Sequence, residues 1–150
     1  DLHKAGSSSF VSSTKNSPAM VNDSYDIRNN ISTKVDAKKF SSEDPGDIDL
    51  ISIDIEGSEW FVIKHMLSRP DVISIETHGG YYINPHIEDI KNWMDEYNYV
   101  LWFKDNSDSV YVKKHIIKVK FNEILFLMLK NIHLIFRRYR KGLKLFFRNL

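Results

Sequence analysis

Apolar residues cluster along this chain in patterns with different periods. The runs 50–53 (LISI) and 72–75 (VISI) are almost continuously apolar and rich in isoleucine and valine, as in strands buried on both faces. Between them Trp60, Val62, Ile63, Met66 and Leu67 recur at helical spacing. Ser58 supplies an N-cap, Glu59 an acid suited to the helix dipole, and Pro70 a stop, because proline excludes helical geometry in the residue before it. The pattern predicts a strand over 49–55, a turn at Glu56-Gly57, a helix from 58 to just before Pro70, and a strand over 71–78. Two strands joined by a helix form a βαβ unit, with parallel pairing and a right-handed crossover.

Beyond the loop Gly79-Gly80-Tyr81-Tyr82-Ile83, Asn84 and Pro85 form a cap and first-turn pair. They open a helix whose buried face is Ile87, Ile90, Trp93 or Met94, and Tyr97. Residues 99–103 and 110–112 alternate as strands around the turn Asn106-Ser107-Asp108, which predicts an antiparallel hairpin. From 118 to 150 the pattern is helical throughout. Lys130, His133, Arg137, Lys141, Lys144 and Arg148 form a polar stripe, opposed by Leu125, Met128, Leu129, Ile132, Phe136, Tyr139, Leu143, Phe146, Phe147 and Leu150. Gly142 is a point at which this helix could divide. Residues 1–33 carry little periodicity: Ser and Asn dominate, Asn16-Ser17-Pro18 reads as a turn, and Phe10-Val11 could form only a short edge strand in an otherwise flexible segment. A short strand is expected over 33–36, and 41–47 is a polar loop with a Pro-Gly turn.

Charge divides the chain. Residues 116–150 hold nine Lys/Arg and one acid, Glu123, for a net +8, whereas the residues before them hold 12 basic and 19 acidic side chains, for a net −7. This predicts an α/β domain over 1–115 and a basic amphipathic helical tail over 116–150 that binds a membrane surface or a protein partner. Nucleic acid is a poor partner, because the face opposite the cations is too apolar for a solvated arm. The chain has no cysteine, which excludes disulfides and thiol chemistry and fits a reducing, cytoplasmic setting, with peripheral attachment at a membrane through the tail. No long uncharged apolar run predicts a membrane span. The triplets Asn22-Asp23-Ser24 and Asn30-Ile31-Ser32 match the glycosylation pattern by chance in this setting.

The candidate chemistry lies where the two apolar runs turn polar: Asp54 and Glu56 after the first, Glu76 and His78 after the second. Ligands of open α/β sheets bind outside the carboxyl ends of the strands. Strand alternation sends Asp54 and Glu56 to one side, and likewise Glu76 with His78. A carboxylate there can hold a hydroxyl or amine, and a histidine can take a proton near neutral pH. The same four groups also suit a divalent metal ion, as in a metal-dependent hydrolase. The spacing leaves the reaction open.

The stretch Asp49-Leu50-Ile51-Ser52-Ile53-Asp54-Ile55-Glu56-Gly57-Ser58-Glu59 resembles the signature of the FkbM-family methyltransferases. Pro70-Asp71-Val72-Ile73-Ser74-Ile75-Glu76 is similar to that family's following strand, Val35-Asp36 to the short strand before the signature, and Ser7-Ser8-Ser9 to a still earlier small-residue patch. The resemblance spans about residues 5–114. It implies a class I methyltransferase (Rossmann-like) sheet of seven strands, the last one reversed, and methyl transfer from S-adenosylmethionine to a hydroxyl of a sugar or small metabolite. It further implies that Asp54 and Asp36 serve the cofactor, that Glu56 and Glu59 shape the turn, and that Glu76 with His78 faces the acceptor. Tyr81 and Tyr82 are placed to stack on a sugar ring. The glycine-rich cofactor turn of the family has no counterpart here, so the sheet is expected to be incomplete on its N-terminal side, with an exposed edge and doubtful activity for this chain alone.

Overall fold

The computed structural model describes residues 2–5, 8–11 and 32–148, with side chains from 33 to 140. The expected turn at 16–18, the triplet Asn22-Asp23-Ser24, Asn30 and Ile31 of the second triplet, Ser7 and the side chains of 141–150 lie outside the described residues.

Four strands form the sheet that carries the site: β4 (Leu50–Ile53), β5 (Val72–Glu76), β6 (Tyr99–Lys104) and β7 (Asp108–Lys113), in the order β4-β5-β7-β6. β4 and β5 are parallel, in the register Leu50↔Val72 to Ile53↔Ile75. β7 runs antiparallel to β5 on one side and to β6 on the other. The predicted βαβ unit and hairpin are both present, and the return strand of the hairpin lies between β5 and β6. Three short strands form a separate antiparallel sheet in the order β2-β1-β3: β1 (Leu2–Ala5), β2 (Ser8–Val11) and β3 (Ser32–Thr33). Residues 2–11 were expected to be flexible, with at most a short edge strand at Phe10-Val11. Residues 2–5 and 8–11 pair instead from Leu2↔Val11 to Ala5↔Ser8, backbone bonding that a weak apolar pattern does not announce.

One face of the four-stranded sheet is covered by the helices α1 (Glu59–Ile63) and α2 (Ile87–Glu96). Ile53, Ile73, Ile75, Tyr99 and Tyr111 of the strands pack with Ile63, Met66, Ile90, Trp93 and Met94 in one core. α1 is shorter than its periodicity predicts and Leu67 is exposed, because the chain beyond Ile63 is held by other partners. The Asp44 carboxylate accepts the backbone N–H groups of Leu67 (2.6 Å) and Ser68 (2.8 Å), together with the Ser68 hydroxyl. The Arg69 guanidinium donates to the carbonyls of Met66, Leu67 and Ser68. These bonds end the helix before Pro70 can.

β4 is the edge strand on the N-terminal side, and Leu50 on it is exposed. The strand expected at 33–36 is reduced to β3; 34–39 form no regular structure, and Val35 is exposed. α3 (Phe121–Arg148) packs along β6 as one uninterrupted helix, so Gly142 does not divide it. It starts where Glu123 reaches back to accept the Lys120 N–H at 2.6 Å, half of a capping box.

Candidate functional site

The polar ends of β4, β5 and β7 lie side by side. Glu76 is paired directly with Asp108 across the β5–β7 ladder. Extending the parallel register from Ile53↔Ile75 by one residue sets Asp54 beside Glu76. Three neighbouring strands thus present three acids in a row. Behind them stands Glu59, and carboxylate oxygens of Asp54, Glu59 and Glu76 all lie within 4.8 Å of one another.

The turn after β4 is built to hold this arrangement. Glu56 takes the left-handed backbone conformation at φ +56°, and Gly57 follows at φ +96°. A non-glycine residue in that region is strained and persists only when its surroundings fix it. Glu59 does the fixing: its Oε1 accepts the N–H groups of Ile55 (3.2 Å) and Gly57 (2.9 Å). Its Oε2 accepts from the Asn84 side chain at 2.6 Å. Asn84 was expected to cap α2; it is fully buried and bridges Glu59 to the loop before α2, its Oδ1 receiving the His86 N–H. Ser58 makes no side-chain cap bond. Burial pushes the Glu59 pKa up against those bonds, and the Asp54 charge adds to the rise.

Glu76 is the most perturbed member of the row. Burial first, then the charges of Asp54, Glu59, Glu56 and Asp108, raise its pKa to about 8. Its Oε2 is buried without a hydrogen-bond partner. The Tyr82 hydroxyl is likewise buried and unpartnered, and burial together with Glu59, Glu76 and Glu56 drives its pKa upward. Unsatisfied buried polar groups cost free energy and are uncommon in native structures, and perturbed carboxyls cluster at functional sites. Asp108 also titrates high, through burial and the charges of Asp105 and Asp54.

Residues 2–101 match the methyltransferase FkbM domain. The chain belongs to the FkbM methyltransferase family. No curated protein and no solved structure matches it.

Within this family domain the expected site residues separate. Asp54, Glu56 and Glu76 converge, with the Glu56 charge felt by both Glu76 and Tyr82. His78 does not join them. β5 ends at Glu76, so strand alternation no longer sets the direction of residue 78. Its ring is buried, with Nδ1 2.7 Å from the Thr77 hydroxyl and Nε2 3.1 Å from the Asp105 carbonyl. A carbonyl only accepts, so Nε2 carries the proton and Nδ1 accepts from Thr77, which in turn accepts from Ser109. Burial, followed by the Lys104 charge, lowers the His78 pKa to about 4. A neutral imidazole with both nitrogens engaged braces the hairpin and is not a general base. The metal set of Asp54, Glu56, Glu76 and His78 is therefore not assembled.

Tyr82 is 1% exposed, so its ring cannot stack on a sugar; only its hydroxyl faces the acids. Tyr81 is half-buried in the loop beside it. Asp36 is exposed in the irregular stretch 34–39, and no hydrogen bond or ion pair among the described residues joins it to the row. Asp108 and Asn84 were read from sequence as a turn residue and a cap. Asp108 follows the hairpin turn and so faces Glu76, a signal visible only once the β5–β7 register is known.

Proposed function

We propose that the acidic row takes part in S-adenosylmethionine-dependent methyl transfer to a hydroxyl of a sugar or another small metabolite, on a class I methyltransferase sheet. The reversed β7, lying between β5 and β6, supports that sheet type. The observation that carries the reading is Glu76, whose unpartnered Oε2 sits between Asp54 and Asp108. A pKa of about 8 keeps its proton exchangeable near neutral pH, where a general base works best. The cofactor supplies a methyl group on a cationic sulfonium, and a row of acids suits a cation. Asp54, at the end of β4, is the residue to hold that charge. Glu76, once ionised, accepts the proton of the acceptor hydroxyl at Oε2. The Glu59–Asn84 bridge keeps the turn in place, and Tyr81 lines the approach.

The test is calorimetric titration of S-adenosylmethionine into the purified chain, followed by transfer of a labelled methyl group to a panel of monosaccharides. Wild type is expected to bind and transfer, whereas Glu76→Gln transfers about 10²- to 10⁴-fold more slowly, the usual contribution of a general base. No binding heat at millimolar cofactor together with no label transferred overturns the proposal.

A further inference from the structure

α3 is packed with its apolar side outward. Leu127 and Leu134 hold it to the body, and Leu134 is 2% exposed. Glu123 and Lys130 face the body too, bonded to Trp102 and Asn106. The row formed by Leu125, Leu129, Ile132, Phe136 and Tyr139 is open, with Leu129 57% and Phe136 63% exposed. A broad exposed apolar row of this kind marks an interaction surface. Beside it a cavity of about 360 Å³ lies between α3, α2 and the hairpin. Lys91, Lys104 and Arg138 line it, and Ile135 belongs both to its wall and to the open side of the helix. Lys91 is paired with Glu88 at 2.7 Å, but Lys104 and Arg138 form no hydrogen bond or ion pair among the described residues. Burial and the like charges of Arg138 and Lys91 already disfavour the Lys104 ammonium, so an anion entering the cavity would relieve both.

We infer that α3 is a docking surface for anionic lipid: the open apolar row sits among acyl chains, and the adjoining cavity takes a headgroup phosphate between Lys104 and Arg138. Charge favours this occupant over a second copy of the chain. The apolar row is bordered, past Ile135, by the cavity that Lys104 and Arg138 line. Two copies joined through it would bring these cations together, whereas an anionic bilayer meets them with opposite charge. No helix among the described residues is long and apolar enough to cross a membrane, so the helix lies in the interface plane.

The test is co-sedimentation of the full chain with phosphatidylcholine vesicles, with and without phosphatidylserine. Wild type is expected to pellet with the anionic vesicles and to be released by salt. Leu129→Ser combined with Phe136→Ser, on the exposed row, is expected to reduce pelleting at least tenfold while the melting temperature is unchanged. Lys104→Ala with Arg138→Ala is expected to remove the preference for phosphatidylserine. Equal pelleting of wild type and the Ser variant overturns the inference. So does a concentration-dependent dimer, lost in the Ser variant, from a chain that ignores vesicles. Binding of inorganic phosphate alone, without vesicle binding, overturns it as well.

Discussion

Glu76 is the most perturbed side chain of the acidic row. Its ordinary pKa near 4.5 rises to about 8 because water is excluded from it and four other acids surround it. The folded state therefore holds a proton that the unfolded chain releases. Stability falls as pH rises from about 4.5, and the loss is complete once pH passes about 8. Glu76→Gln keeps the shape and removes the charge. It is expected to stabilise the fold at pH 9 by on the order of 1–3 kcal/mol, with little change at pH 4, as urea melts at the two pH values would reveal. The same variant is expected to lose methyl transfer. Stability gained and activity lost from one atom exchange is the mark of a strained functional group, whereas a merely structural carboxyl would lose stability at every pH.

The turn between β4 and α1, which sets Asp54 and Glu59 against Glu76, is fixed from within by Glu59 and from outside by Asn84. Glu59→Ala removes the acceptor for two backbone N–H groups and for Asn84. It is expected to destabilise the protein by about 2–4 kcal/mol, read in chemical melts, since buried donors are left unpaired and the left-handed Glu56 is released. Asp44→Ala is expected to cost about 2 kcal/mol through the end of α1. Burial alone would raise the Asp44 pKa, but its hydrogen bonds from Ser68, Gly46 and Leu67 outweigh that and lower it from 3.8 to about 2. Its contribution is thus present above pH 3.8 and fades as pH falls through 2. These partners explain which features were legible in the sequence. The strands were, because buried parallel strands need continuous apolar runs and turn polar where they end. The hairpin was, because its turn chemistry is local. The length of α1, the bridging place of Asn84 and the neutrality of His78 were not, since each depends on a partner between 24 and 27 residues away. Asp108 and Tyr82 entered the site only through pairing and burial, which no local pattern records. The tail was legible as a helix with two faces, but not in which face it turns to the body.

At the scale of the whole molecule, opposed titrations set the conditions under which the fold persists. His78 is neutral in the folded state, with its pKa lowered from 6.5 to about 4, because burial and the nearby Lys104 oppose a charged ring. The unfolded chain binds that proton more readily, so the His78 contribution is lost as pH falls from 6.5 to about 4. Below that, protonation of Asp44 removes a further contribution. Glu76 acts in the other direction, its destabilising effect growing between about 4.5 and 8. Between 4.5 and 6.5 the two slopes cancel in part; outside that window one side acts alone. The urea midpoint of the wild-type chain is therefore expected to peak between about pH 4.5 and 6.5 and to decline on both sides. In Glu76→Gln the alkaline decline should shrink markedly while the acid limb stays in place. An unchanged alkaline limb in that variant would mean that the row of acids is ionised and solvated in the folded protein. The surroundings that make Glu76 a candidate base would then be absent.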